Sequence, residues 1–383
     1  MHSVEPESVG MCARQLEEIP RVMQGHVDRS EAAGISTLVA RRGKIVHLAS
    51  VGCRDIESGA PMTEDTICRI YSMTKPITGV AALQLYERGA FQLDDPVAQY
   101  IPAFRDTRVF VREVNGVVET EPQARPMTLR HLMTHTAGLM YPNALGTVPE
   151  RMLSAADIRR PDEPLAEKVT RIAALPLDFQ PGVRWKYSLA TDVLGYLVEV
   201  ISGMPLDVYM QERIFDPLGM TDTGFWVPPE RYPRYASVYG RDSGSLARLD
   251  TPGQFGKPMG TSTGTTIVDL RARPAYLSGG GGLTSTIRDY ARFAQMLLNG
   301  GTLDGVRILG RKTVATMTAN HLPTVLAAAG AAATQPAGME SFPFIPETWP
   351  FPRGYGMGLT VRAVLNPAET GYTNSAGAFT WQG

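Results

Sequence analysis

The sequence predicts an α+β protein in which strands from both ends of the chain build one sheet and a mostly helical stretch is inserted between them. Three observations carry this. Residues 35–49, ISTLVARRGKIVHLA, hold two β-type runs around Arg41-Arg42-Gly43-Lys44. Near the other end, GMGLTVRAV at 356–364 and a run starting at Ala378 read as strands again. Several segments between them repeat apolar residues with the 3.6 period of a helix. The expected division is a discontinuous sheet unit, 1–95 and 274–383, and a mostly helical unit, 96–273, with a cleft where the two meet.

In chain order, the first hairpin is expected to continue as a strand from Val51 to Ile56. Ser72 to Arg88 then reads as a helix, because Ile77, Val80, Ala81, Ala82, Leu83 and Leu85 form a broad apolar surface and Gly89 stands at the C-terminal cap. So broad a stripe implies a buried helix. Asp94-Asp95-Pro96 opens a Pro-rich crossing, and Thr128–Leu139 reads as a short helix closed by Gly138. Residues 188–202, SLATDVLGYLVEVIS, form another helix stopped by Gly203 and Pro205. Residues 228–264 are rich in Pro, Gly and Ser and read as a long excursion of loops. Thr286–Leu298 returns to helix, and 323–352 reads as a second loop.

Composition narrows the function. Lys and Arg number 37 against 38 Asp and Glu, a formal charge of -1, so no basic field exists to attract nucleic acid or anionic lipid. A small-molecule partner is expected. The N-terminus lacks a basic segment followed by an apolar one, and no stretch approaches the roughly 20 apolar residues of a membrane span. Cys12, Cys53 and Cys68 are odd in number and lack the paired spacings of a zinc or redox site, which fits a reduced, cytoplasmic setting with no metal or other cofactor.

The chemistry is carried by Ser72-Met73-Thr74-Lys75, the one S-x-x-K of the chain. The motif alone is weak; its position strengthens it. Pro76 lacks an N–H and is tolerated in a helix only within the first turn, so the helix must start close to Ser72. A serine there exposes its backbone N–H at the positive end of the helix dipole, where an oxyanion would be stabilised. Spacing i,i+3 puts the Lys75 amine on the same face as the Ser72 hydroxyl. A serine needs a base to take its proton, and lysine can serve where arginine cannot. With six Lys against 31 Arg, a lysine at 75 is informative. The competing reading is that Ser72 caps the helix and Lys75 is solvated.

YSMTKPITGVAALQLYERGAFQLDDPV, then LMTHTAGL, then Tyr187-Ser188-Leu189 ahead of a helix, then GGGGLTST, then Trp381-Gln382-Gly383 resemble the ordered blocks of family VIII carboxylesterases. These are similar to class C β-lactamases and DD-peptidases. The resemblance implies a β-lactamase-like fold: an antiparallel sheet flanked by helices, a mostly helical second domain, and the active site between them. It implies hydrolysis of short-chain carboxylic esters, with Ser72 as nucleophile, Lys75 as its activating amine and Tyr187 as the phenol that passes the proton on. Lys186, next to Tyr187, is expected to point elsewhere. Trp381 and Leu189 stand where class C β-lactamases carry a Lys and an Asn, a pattern that resembles the esterases. Trp381, Gly383 and, from its position after LMTHTAGL, Tyr141 are expected to border the substrate. In the family the second oxyanion N–H follows the Gly at 383, so a longer natural chain is expected. The alternatives are a hydrolase of cephalosporins or peptides, and a catalytically silent binding protein with the same fold.

Three other motifs compete. Gly260-Thr261-Ser262-Thr263-Gly264 matches G-x-S-x-G, with Asp304 and His321 downstream, but lacks the apolar strand before it and the helix after it. His131 and His135 have zinc-ligand spacing without the Glu of H-E-x-x-H. Gly279–Gly282 lacks the Lys of a phosphate loop and is expected to allow close backbone approach at the cleft.

Overall fold

The computed structural model describes residues 1–158, 162–242, 245–250, 268–322 and 353–383. Helix α1 (Glu18–Asp28) precedes the antiparallel pair β1 (Gly34–Arg41) and β2 (Lys44–Asp55), registered from Gly34↔Gly52 to Arg41↔Lys44. Arg42 and Gly43 both take positive φ, 52° and 74°, the two-residue turn whose twist matches the strands it joins. Ala60–Pro61 adds a third strand beside β2. Helix α1 and a later helix pack on this sheet. The predicted continuation to residue 56 is thus the far end of β2.

Helix α2 (Thr74–Glu87) is buried along every residue from Thr74 to Leu85, as its broad apolar surface requires, and Gly89 leaves it at φ 73°. After it the chain forms the hairpin β3 (Val109–Val114) and β4 (Val117–Glu121), where the sequence reading has only an irregular crossing. Its turn is Asn115-Gly116, at φ 53° and 78°. Helix α3 (Leu129–Met133) starts on a capping box, with the Thr128 side chain accepting from His131 N–H and the His131 ring accepting from Thr128 N–H. It ends five residues before Gly138, because the Thr134 hydroxyl bonds the Arg130 carbonyl and His135 turns into φ 55°. Helices α4 (Val148–Ala155), α5 (Leu165–Ala173) and α6 (Ala190–Ser202) follow, with Gly203 closing α6 at φ 71°.

The excursion after residue 228 contains a further antiparallel pair, β5 (Tyr239–Asp242) and β6 (Ser245–Arg248), rather than loop alone. It is pinned to the end of β2: the Tyr239 hydroxyl bonds Ile56 N–H and Arg248 pairs with Asp55 at 2.7 Å. Helix α7 (Ile287–Leu298) begins with Thr286 accepting from Asp289 N–H. The 356–364 segment is not one strand but two, β7 (Tyr355–Met357) and β8 (Arg362–Val364). The break lies where Leu359 and Thr360 N–H reach across to the Met317 and Met133 carbonyls, with Thr360 at φ 64°. Strand β9 (Phe379–Thr380) pairs with β8.

Among the described residues β1–β2 and β7–β8–β9 share no ladder. Val364 N–H bonds Ala378 O, closing the C-terminal strands on themselves, and the chain beyond Thr380 turns toward Ile70 and Met73. One continuous apolar core, from Ile77 on α2 through Leu194 on α6 to Val361, places α2 at the centre of the molecule. Among the described residues no single helix is long and apolar enough to cross a membrane.

Candidate active site

Ser72 lies in the turn Tyr71–Met73 that leads into α2. Tyr71 takes φ 41°, a conformation costing a non-glycine residue about 1–3 kcal/mol. Ser72 does not cap α2: its hydroxyl instead faces Lys75 and Tyr187. Lys75, the second residue of α2, is fully buried. Its Nζ donates to Ser72 Oγ at 3.1 Å, to Tyr141 Oη at 3.2 Å and to the Gly280 carbonyl at 2.6 Å. Three acceptors match the three N–H bonds of an ammonium. In the neutral amine the lone pair takes one of these contacts, and the Ser72 hydroxyl is the partner able to reverse and donate into it.

Tyr187 precedes α6 and its hydroxyl hydrogen-bonds Ser72 Oγ. Lys75 Nζ sits 4.6 Å from the centroid of the Tyr187 ring, a cation over an aromatic face. The Tyr141 ring packs 5.2 Å from it, and burial, then the neighbouring Tyr187, push the Tyr141 phenol well above the usual tyrosine range, so Tyr141 stays neutral. Trp381 lies 6.1 Å from Tyr187 and stacks on His135, 6.0 Å away at 14°. Its indole N–H is buried without a hydrogen-bond partner among the described residues. At Gly383 a Cβ would come within 2.5 Å of the Ile70 carbonyl, so the chain passes the Tyr71–Met73 turn as only glycine can. The structure therefore brings Ser72, Lys75, Tyr187, Tyr141, Trp381 and Gly383 to one place, although no short stretch of sequence joins them.

The competing motifs fall elsewhere. Lys186 Nζ pairs with Glu150 and Asp178, both at 2.8 Å, away from Ser72. The His131 ring caps α3, while His135 Nδ1 faces Ser188 Oγ at 3.2 Å, so the two rings serve different contacts. Burial, then the Lys75 charge, hold His135 well below the usual histidine range and therefore neutral. Ser262 lies outside the described residues; Asp304 pairs with Arg292, and His321 bridges Arg130 and the Thr316 carbonyl. Gly279–Gly282 does line the site: Gly280 accepts from Lys75, and Gly279 packs 3.2 Å from the Gly195 Cα measured from an added Cβ.

Two residues escape sequence reasoning. Asp192, buried in the first turn of α6, accepts from Tyr276, Ser278 and Gly280. Arg362 is buried on β8, 5.0 Å over the Tyr355 ring, with the Gln382 side-chain oxygen at 3.4 Å and no carboxylate partner among the described residues. An acid at the fifth position of S-L-A-T-D-V, directly after the tyrosine block, is the signal that could have found Asp192; nothing local distinguishes Arg362 from the other arginines.

The fold and this serine–lysine–tyrosine cluster define a serine hydrolase of the β-lactamase superfamily. The chain belongs to the Beta-lactamase family, whose model matches residues 19–383. It is similar to Protein Rv1367c of Mycobacterium tuberculosis, 35% identical over 93% of this chain and 82% of that one. It is also similar to Esterase EstB of Burkholderia gladioli, 32% identical over 100% of this chain and 88% of that one. Among solved structures, EstCE1, described as a hydrolase with promiscuous acyltransferase activity, superposes with a TM-score of 0.73 at 25% identity, covering 95% of this chain and 87% of that one.

Proposed function

We propose that the protein is a carboxylesterase that hydrolyses short-chain carboxylic esters through an acyl-enzyme on Ser72. The observation that carries this is the contact of Ser72 Oγ with both Lys75 Nζ and the Tyr187 hydroxyl. Ser72 Oγ attacks the ester carbonyl carbon and gives its proton to the Lys75–Tyr187 pair. The Ser72 N–H, in the turn ahead of α2, faces the developing oxyanion. When the tetrahedral intermediate collapses, the carbon–alkoxide bond breaks, and Tyr187 protonates the leaving alcohol. Water then attacks the acyl-serine and gives a proton to the pair; the bond between the acyl carbon and Ser72 Oγ breaks, the pair returns that proton to Oγ, and the acid leaves. Because the two groups are coupled, the proton belongs to the pair rather than to either residue.

Trp381, Tyr141 and Tyr187 give the pocket an aromatic wall, which favours an uncharged acyl group at roughly 25 cal/mol per Å² of apolar area buried. A carboxylate entering beside that wall has an indole where a lysine would neutralise it. Steady-state kcat/KM on 4-nitrophenyl butyrate and on a chromogenic cephalosporin tests the assignment: the ester is expected to be much the better substrate, and the reverse order overturns it. A second reading, hydrolysis of carboxylate-bearing cephalosporins or peptides, is favoured by Arg362, a buried cation without a carboxylate partner among the described residues. It requires cephalosporin turnover that Arg362→Ala abolishes.

A further inference from the structure

We propose that Asp192 is a positioning residue that holds Lys75 in register with Ser72, acting through the Gly280 carbonyl. This rests on the acyl-enzyme reading. Asp192 is 1% exposed, and its Oδ1 gathers the Tyr276 hydroxyl at 2.5 Å, the Ser278 hydroxyl at 2.6 Å and the Gly280 N–H at 3.3 Å. Three donors from residues 276–280 thus converge on one carboxylate oxygen. The carbonyl of the same Gly280 makes the shortest of the three bonds to Lys75. Gly280 is where the backbone must come close: a Cβ there would lie 2.5 Å from Asp192 Oδ2.

The segment is held from α2 as well, because the Thr78 hydroxyl, three residues after Lys75, donates to the Gly279 carbonyl at 2.7 Å. The glycine run is therefore fixed between the helix that carries Lys75 and the helix that follows Tyr187. Hydrogen bonds to an ionised acceptor are roughly twice as strong as neutral ones, so the carboxylate grips this segment more firmly than an amide would. Its charge also favours the ammonium that Lys75 becomes on taking the Ser72 proton. Ser72, Tyr141, Tyr187 and Gly280 touch Lys75 directly; His135 and Asp192 stand behind them, and Lys168 lies behind Tyr276, its Nζ 3.1 Å from that ring's centroid. Asp192 is the acid of that set.

Asp192→Asn keeps an acceptor for the two hydroxyls and removes the charge. In the full chain it is expected to lower kcat about 10 to 100-fold, the scale of a small misplacement of a catalytic group, with KM nearly unchanged. The acidic limb of the kcat/KM profile, where the Lys75–Tyr187 pair must lose its proton, should move to lower pH. The chain has six lysines, so ¹⁵N-lysine NMR with Lys75→Arg for assignment reads the same shift at the Lys75 amine without any turnover. Tyr276→Phe and Ser278→Ala, which keep the charge and loosen the segment, should each lower kcat a few-fold without moving the limb; they serve as the test if Asp192→Asn does not fold. A lowered melting temperature with kcat, pH limb and Lys75 titration unchanged would overturn the proposal, as would full kcat in both hydroxyl variants. If the wild-type chain hydrolyses no ester, the proposed function fails, and the NMR titration still reads whether Asp192 acts on Lys75.

Discussion

Ser72 and Lys75 are three residues apart and Tyr187 is 115 residues from Ser72, yet the three meet at hydrogen-bond distance. The first pair was legible because a proline at 76 dates the start of the helix and the i,i+3 spacing does the rest. Tyr187 was legible only as part of a family block, since a tyrosine before a helix is ordinarily a packed aromatic. Asp192 was not legible, because its role depends on Gly280, 88 residues away. Two predictions belong to this scale. Ser72→Ala should remove nearly all esterase activity, and Ser262→Ala should leave it largely intact; assays of both on 4-nitrophenyl butyrate check this. Lys75→Ala and Tyr187→Phe should each cost orders of magnitude in kcat, and the double variant little more than the worse single one, because groups that act as a unit are non-additive. Additive losses in the same assay would assign them separate steps.

Among the elements, those set by local chemistry were readable and those set by distant partners were not. Helices α2 and α6 followed from apolar period and from glycines that leave at positive φ. The β3–β4 hairpin carried its Asn115-Gly116 signal but lay within the crossing bounded by Pro96, Pro102, Pro122 and Pro126, which reads as irregular. The split of 356–364 depends on bonds to Met133 and Met317, and the early end of α3 on Thr134 and His135, none of which has a periodic signature. At this scale the α3 cap has a testable pH dependence. Burial, then the Arg125 charge, push His131 down to about 4, and its ring nitrogen accepts from Thr128 N–H only when neutral. The unfolded chain therefore binds this proton more readily than the folded one. Stability is full above about pH 6.5 and is lost as pH falls from there toward 4, at up to roughly 1.4 kcal/mol per pH unit. His131→Gln keeps a capping-box acceptor without the titration, so its melting temperature, followed by circular dichroism between pH 7 and 4, should fall less steeply than that of the wild type. Equal slopes would place the acid sensitivity elsewhere.

For the whole molecule, α2 threads the core with Ser72 just ahead of its start, the glycine segment and α6 close on its buried face, and the C-terminal strands bring Trp381 and Gly383 beside that turn. This arrangement joins residues from both ends and the middle of the chain, which is why the sequence showed the ingredients of the site in order but not their contacts. The central claim is that this meeting point makes Ser72, and no other serine, the nucleophile. The most direct measurement is covalent labelling of the intact protein with a fluorophosphonate, followed by peptide mapping by mass spectrometry. One label is expected, on the peptide that contains Ser72, lost in Ser72→Ala and strongly slowed in Lys75→Ala. A label on Ser262, or none on a folded wild-type chain, would contradict it.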